Sequence, residues 1–94
     1  MTTVTAPEVV VYRRRGCPYC TSLRRGLRQA GVPYREVDIW SDPEGAAFVR
    51  AAAGGNETVP TVDIAGTVLV NPTAAVVLAH AVEAGIPLGP PEPP

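Results

Sequence analysis

The chain has 94 residues, 46% of them hydrophobic, and a formal net charge of −1, so it is long enough for one domain with one core and too short for two. With this charge it is not expected to bind nucleic acid. It has no secretory leader pattern and no apolar stretch long enough to cross a membrane, which favours a cytoplasmic protein.

The first half of the chain predicts a strand, a helix and a second strand. The apolar run Val9-Val10-Val11 is typical of a strand buried on both faces, β1, over residues 8–13. Pro18 suits the first turn of a helix, and apolar residues then recur at helical spacing, which predicts α1 over residues 18–30. Alternating polar and apolar residues predict β2 over residues 34–39.

A second helix and a hairpin should follow. The segment Ser41-Asp42-Pro43 supplies cap candidates and a proline for the first turn of α2, which should run to about residue 53. Two short strands, β3 over residues 61–64 and β4 over residues 67–70, surround the turn signal Ala65-Gly66. We expect them to form an antiparallel hairpin.

The chain should end with a helix and a tail. Asn71-Pro72 repeats the signal of a cap followed by proline and predicts α3 over residues 72–84. The Pro-rich segment of residues 86–94 cannot hold a helix, and we expect an extended, flexible tail there. The predicted organisation is therefore one domain, residues 1–85, followed by this tail.

This order of elements, βαβαββα, predicts an α/β fold in which a four-stranded mixed sheet is flanked by three helices. The first half needs a right-handed crossover between parallel strands, and the second half contains the hairpin. Ligand sites of α/β sheets gather beyond the carboxyl ends of parallel strands. Cys17 lies at such a place, shortly after β1.

Both cysteines of the chain lie in one tetrapeptide, Cys17-Pro18-Tyr19-Cys20, at the predicted start of α1. Thiols at this spacing share one helix face and can close a small disulfide ring. The free N–H groups and the positive end of the helix dipole stabilise a thiolate there. In a reducing compartment such a pair is redox-active or metal-binding rather than structural. We expect Cys17 to be the nucleophile and Cys20 to be the resolving thiol.

With these motifs the chain resembles the glutaredoxins, members of the thioredoxin superfamily, over residues 8–84. The resemblance is carried by the CPYC motif of the two cysteines and by Thr58-Val59-Pro60 directly before β3. It implies that Pro60 is cis and that the backbone of Val59 lies beside Cys17, where it can pair with the cysteinyl part of a bound thiol. It also implies that Arg14 is the basic residue near the cysteine, and we expect Tyr19 to line the same thiol site.

Three segments are similar to the mycoredoxins, the actinobacterial glutaredoxin-like proteins that act on mycothiol mixed disulfides. They are residues 36–39, 54–62 and 70–73. Glutathione-using glutaredoxins have two glycines and an acidic residue near the start of the last helix, where this chain has Asn71-Pro72-Thr73. Mycothiol carries an inositol-glucosamine group and no carboxylate, so amides and hydroxyls suit it better than an acid.

The resemblance therefore implies a thiol-disulfide oxidoreductase that reduces mycothiolated proteins. Mycothiol would be its thiol co-substrate, glutathione the weaker candidate, and no cofactor would stay bound. A reductase system for mycothiol, or thioredoxin reductase, would supply the electrons. A monomer is expected at this size.

Three other functions stay open on the residues alone, the last of them a non-enzymatic interaction domain in which the cysteines are inert. The first is a redoxin that depends on thioredoxin reductase and donates electrons to ribonucleotide reductase, although that family differs near the last helix. The second is a metal or iron-sulfur binding module. The two cysteines and His80 supply at most three of the four ligands of a closed zinc site, and we expect no metal.

Overall fold

The structure, a computed structural model, describes residues 7–90 of the chain. The elements come in the predicted order βαβαββα. They are β1 (Val9–Arg13), α1 (Pro18–Gln29), β2 (Arg35–Asp38), α2 (Pro43–Ala52), β3 (Thr61–Ile64), β4 (Thr67–Val70) and α3 (Ala74–Glu83). The predicted α/β fold class, with four strands and three helices, is confirmed.

The sheet is mixed, with the strand order β2-β1-β3-β4. β1 is parallel to β2 and antiparallel to β3, so Val11 lies opposite Glu36 on one side and Val62 on the other. β3 and β4 form the predicted antiparallel hairpin. Its turn residues, Ala65 and Gly66, have φ values of +50° and +98°, and positive φ at both positions matches the right-handed twist of the flanking strands.

The core lies on both faces of the sheet because β1 is central and successive side chains of a strand point to opposite faces. On one face the fully buried Val11 belongs to the cluster that includes Leu27 of α1 and Val77 of α3. On the other face the ring of Tyr12 stacks on Phe48 of α2, with 4.6 Å between ring centroids. Each helix therefore has a defined side of the sheet.

A second, smaller cluster contains both cysteines. Its buried members are Cys17, Cys20, Ile39, Ala46, Val49 and Val59, and Tyr12 packs against them. The thiols are thus part of the packing between β1, α1 and α2, and the start of α1 is fixed by core contacts rather than by loop residues alone.

The start of α3 differs from the prediction. Asn71 is still bonded to the sheet side, since its N–H donates to the carbonyl of Pro60 (2.7 Å), and its φ is +51°. A residue before proline avoids the helical region, and asparagine tolerates the left-handed one. Thr73 is the cap instead, accepting the N–H of Val76 at 3.3 Å, so the helix begins at Ala74 and not at residue 72.

The chain after α3 also differs from the prediction of a free tail beginning at residue 86. Ile86 is only 4% exposed and belongs to the main core cluster. Its N–H donates to the carbonyl of Ala81, and Gly85, with a φ of +76°, donates to Val82. This pair of bonds is the Schellman ending of a helix, which folds the residue after the glycine back onto the helix.

Packing continues past Ile86, since the N–H of Gly89 donates to the carbonyl of Gly31 at 2.7 Å. Residues 1–6 of the predicted domain and residues 91–94 of the predicted tail lie outside the described residues. Within residues 7–90, no helix combines the length and the apolar character that crossing a membrane requires.

Candidate active site

Cys17 lies at the junction between β1 and α1. The turn after β1 passes through Gly16, whose φ is +74°, and Cys17 then caps the helix in an extended conformation. Its sulfur accepts the backbone N–H of Cys20 at a distance of 3.3 Å. A first-turn N–H group of α1 therefore points at Sγ, which is the arrangement that stabilises negative charge on a sulfur.

Cys20 is one helical turn further along and is 2% exposed, against 7% for Cys17. Burial, followed by its hydrogen bond with the Cys17 thiol, raises the pKa of Cys20 to about 11, although the backbone and charge of Arg14 act in the opposite direction. At neutral pH Cys20 therefore keeps its proton. Both are free thiols in this structure.

The segment before β3 closes the other side of the site. The Val59-Pro60 peptide bond has the cis geometry that the family resemblance implied. The Cys17 thiol donates to the carbonyl of Val59, with 3.8 Å between sulfur and oxygen. Thr61 holds the segment in place, since its hydroxyl donates to the carbonyl of Thr58 at 2.8 Å.

A cleft of about 540 Å³ opens in front of Cys17. Five other residues predicted for the thiol site lie along it: Arg14, Tyr19, Thr58, Val59 and Asn71. Cys20 and Pro60 are buried behind it. Tyr19 is 67% exposed and stands at the mouth of this cleft, which we call the cysteine cleft.

A second groove of about 480 Å³ adjoins the cysteine cleft, because Tyr19 and Asn71 line both. Pro72 and Thr73, the remaining predicted site residues, lie here. The opposite wall is the face of α1 that carries Ser22, Arg25, Gly26 and Gln29. We call this space the α1–α3 groove.

The sequence pattern of the glutaredoxin family matches residues 9–69, from β1 into β4. This chain belongs to the glutaredoxin family. It is therefore a thiol-disulfide oxidoreductase of the glutaredoxin type, with its cysteine pair at the position that the fold provides for the chemistry.

Two relatives show which members of the glutaredoxin family this chain is similar to in sequence. A Mycobacterium tuberculosis protein classed among the glutaredoxins is 41% identical over 76 residues, which cover 80% of this chain and 90% of the relative. Mycoredoxin 1 of Corynebacterium glutamicum is 42% identical over 73 residues, which cover 77% and 90%. The solved structure of a buckwheat glutaredoxin-glutathione complex shares the fold, with a TM-score of 0.67 at 21% identity, over 84% of this chain and 80% of the other.

Trp40 is the main residue of this glutaredoxin site that the sequence did not reveal. From sequence alone an aromatic residue of this size is expected in the core or half-buried, and for Trp40 that expectation is wrong, because its side chain is 64% exposed. The guanidinium carbon of Arg14 lies 5.9 Å from the centroid of its ring, within the range of a cation–π contact. The alternation of β2 ends at Asp38, so strand periodicity gave no guide to the side on which Trp40 lies.

The α1 wall of the α1–α3 groove was also missed. Ser22, Arg25 and Gln29 recur at intervals of three and four residues, which places them on one helix face. That spacing was visible in the sequence, but it is the same as that of an ordinary solvated face. Only the approach of residues 71–74 turns the face into the wall of a groove.

Acidic residues of β2 pair with most of the arginines around the site. Glu36 accepts from Arg13 at 3.2 Å and from Arg24 at 3.1 Å, and Asp38 lies 3.5 Å from Arg15. The positive charge of these three arginines is therefore balanced locally in the fold. Among residues 7–90 no group of three or more His, Cys, Asp or Glu side chains is arranged to hold a metal ion.

Proposed function

We propose that this protein reduces mixed disulfides between mycothiol and proteins, with Cys17 as the nucleophile and Cys20 as the resolving thiol. One observation carries the proposal. The α1–α3 groove continues directly from the cysteine cleft, and the polar groups of its described lining are hydroxyls, amides and one cation, without a carboxylate. The likeness to a protein named Mycoredoxin 1 points in the same direction.

The lining of the groove suits the chemistry of mycothiol. Its sugar and inositol rings carry hydroxyl groups and no charge, and Ser22, Gln29, Asn71 and Thr73 can each donate to and accept from such groups. Glutathione carries an ammonium group at its glutamyl end, which a carboxylate would hold. The described lining of the groove has no such carboxylate, and its one charged residue, Arg25, cannot hold an ammonium group.

The first chemical step is thiol-disulfide exchange. The Cys17 thiolate attacks the mycothiol sulfur, a bond forms between these two sulfurs, and the bond between mycothiol and the client protein breaks. The client leaves as a thiolate and takes a proton from solvent. A second mycothiol thiolate then attacks the adduct, releases Cys17 as thiolate and leaves as mycothiol disulfide. The client sulfur is thus reduced, and the second mycothiol is oxidised.

Cys20 provides a second way to resolve the same mixed disulfide between Cys17 and mycothiol. It attacks Cys17 Sγ, releases mycothiol and leaves a Cys17–Cys20 disulfide, which must then take two electrons from a mycothiol-dependent reductase system or from thioredoxin reductase. The raised pKa of Cys20 keeps this thiol largely protonated at neutral pH, which slows its attack on the adduct. The cytoplasm, where such reductants act, is the expected compartment.

Turnover measured on one client peptide, carried as its mycothiol and its glutathione mixed disulfide, tests the proposal. Wild type should prefer the mycothiol form, Cys17→Ser should fall to the uncatalysed rate, and Cys20→Ser should keep turnover with mycothiol as reductant. Equal or better use of glutathione would refute the mycothiol assignment. No turnover of either form, together with reduction by thioredoxin reductase, would favour an electron donor to ribonucleotide reductase.

A substitution at Thr73 tests whether the groove sets the preference. Thr73→Asp adds a carboxylate to the groove and keeps a capping side chain at the start of α3. An exposed charge pair is worth about 0.2–1 kcal/mol, so use of glutathione relative to mycothiol should rise up to about fivefold. Thr73→Ser is the matched control, because it keeps the cap without a charge, and its preference should equal that of wild type.

A further inference from the structure

Arg14 differs from Arg13 and Arg15 in the contacts that its side chain makes. Arg13 and Arg15, on either side, pair with carboxylates of β2. Among the ion pairs formed within residues 7–90, none includes Arg14, and its guanidinium lies instead over the ring of Trp40. Arg14 is also a residue of the cysteine cleft. The aromatic ring therefore supports a cation that lines the cleft.

The backbone that carries the Trp40 ring is held in place by hydrogen bonds. The backbone N–H of Trp40 donates to the carboxylate of Asp38 at 2.9 Å, and the next N–H, of Ser41, donates to the Asp38 carbonyl at 3.0 Å. Ile39 is 3% exposed, and its N–H donates to the carbonyl of Arg13. The turn that carries Trp40 is thus anchored to the strand that leads to Arg14, so the separation of the two backbone positions is set by these hydrogen bonds.

The other charges near the cysteine cleft do not replace Arg14. Glu57 is the other charged residue of its described lining, and the carboxylate of Glu57 is bonded to Arg50 at 2.8 Å. Arg14 acts electrostatically on Cys20, since its positive charge lowers the pKa of that thiol against the larger effect of burial. Among the charged residues that line the cysteine cleft, Arg14 is therefore the cation available to the sulfurs.

We propose that Trp40 is a positioning residue, whose ring holds the guanidinium of Arg14 at the cysteine cleft so that it faces the negative charge on sulfur during thiol exchange. In that exchange negative charge spreads over the attacking, central and leaving sulfurs, and a nearby cation stabilises it. Without the ring, the long Arg14 side chain would sample other rotamers in water and face the sulfurs for less of the time. The proposal rests on Cys17 as the nucleophile of the proposed function and does not depend on the identity of the small thiol.

The test compares two alkylating reagents that differ in charge. In a Cys20→Ser background, where Cys17 is the only thiol, the rates of alkylation by anionic iodoacetate and neutral iodoacetamide are measured at low salt. Removing the ring in Trp40→Leu should lower the ratio of iodoacetate rate to iodoacetamide rate about two- to fivefold, as expected for an exposed cation–π contact. Trp40→Phe keeps an aromatic face and should retain most of the ratio.

Variants of the cation complete the cycle. Arg14→Met should lower the same ratio at least as far, and adding Trp40→Leu to Arg14→Met should change it no further, because the ring then has no cation to hold. An unchanged ratio in Trp40→Leu, or an equal fall in Trp40→Phe, would overturn the proposal. Because an unfolded chain would also lose the preference for the anionic reagent, circular dichroism must show each variant to be folded, and the Phe variant keeps the ring if the Leu variant is unstable.

The test is independent of the choice of small thiol. Suppose that the alkylation ratio falls in Trp40→Leu but turnover of the wild type is faster with glutathione than with mycothiol. The role of Trp40 would then be supported, and the mycothiol assignment would be rejected. Trp40 is also the single tryptophan of the chain, so its emission reports on Arg14 directly. The emission should change in Arg14→Met and stay as in wild type in Arg25→Met, which lies in the α1–α3 groove and serves as the matched arginine control.

Discussion

At the scale of single residues, the two thiols of one motif have been given different environments. Cys17 caps α1 and lies along an open cleft, whereas Cys20 lies behind it with 2% of its surface exposed. Sequence spacing places both on one helix face, but it does not say which thiol is buried more deeply. That difference comes from the packing of α1 against Ile39, Ala46 and Val49.

The raised pKa of Cys20 predicts how its labelling depends on pH. Because the acid form is favoured by burial, the thiolate of Cys20 becomes abundant only as the pH approaches about 11. In Cys17→Ser, where the hydrogen bond of Cys20 to the Cys17 sulfur is lost but burial remains, iodoacetamide labelling of Cys20 should be half-maximal above the pH of an ordinary thiol, about 8.5. Labelling followed by mass spectrometry checks this.

The matched control for Cys20 is free cysteine under the same reagent and buffer. Wild-type protein labelled briefly at pH 7 should carry the label on Cys17 alone. Half-maximal labelling of Cys20 at or below the pH of the free amino acid would contradict the assignment of Cys20 as the protonated, resolving thiol. Denatured protein should lose the difference, because burial is its main cause.

At the scale of elements, α1 and α3 approach so closely that Gly26 has no room for a side chain. A Cβ built on Gly26 would lie 2.5 Å from the Cβ of Ala74, which is less than two carbon atoms allow. A glycine inside a helix normally costs about 1 kcal/mol relative to alanine. Here the cost is offset by the contact between the helices, which also closes one end of the α1–α3 groove.

Gly26→Ala is therefore expected to destabilise the protein despite the better helix propensity of alanine. Overpacking typically costs about 1–3 kcal/mol, which exceeds the gain from propensity, so the free energy of unfolding should fall. Urea unfolding followed by circular dichroism measures the change.

A compensating variant distinguishes the contact from other effects. The double variant Gly26→Ala with Ala74→Gly moves the methyl group from one helix to the other and should recover most of the lost stability. Ala74→Gly alone, at the first residue of α3, gives the baseline for the cycle. A gain in stability for Gly26→Ala alone would mean that the helices separate at little cost.

The elements themselves could be predicted because their signals are local. Pro18 begins α1, Asp42 caps α2 and Ala65-Gly66 forms the hairpin turn, each from a few neighbouring residues. The errors lie where tertiary contacts decide. Asn71 and Pro72 carry the signal of a helix start, yet the bond from Asn71 to Pro60 keeps them outside α3, and no local pattern contains that bond.

At the scale of the whole molecule, both Schellman endings return the chain to the core. After α1, Val32 donates to the carbonyl of Leu27 and is 3% exposed, and after α3, Ile86 does the same to Ala81. Each buried residue follows a glycine with positive φ. The pair Gly85-Ile86 repeats Gly31-Val32, so the sequence did contain the sign that Ile86 is buried, but the nearby prolines favoured a tail.

The burial of Ile86 means that the stability of the domain depends on residues past α3. Replacing a buried isoleucine by alanine removes apolar contacts and leaves a cavity, at a cost of about 2–5 kcal/mol. Ile86→Ala should lower the free energy of unfolding by this amount in a urea titration, with the slope of the transition unchanged. Leu88→Ala is the matched control, because Leu88 is 45% exposed and its truncation should cost much less.

The two variants separate a packed segment from a free one. If residues 86–89 were an unattached tail, Ile86→Ala and Leu88→Ala would both leave the urea midpoint unchanged. The structure predicts that they differ, since Ile86 packs in the same cluster as Val9, Leu27 and Val77. Cys17 and Val59, which line the cysteine cleft, belong to the smaller cluster and not to that of Ile86. Ile86→Ala should therefore lower stability, while the alkylation rate of Cys17 in the folded protein stays as in wild type.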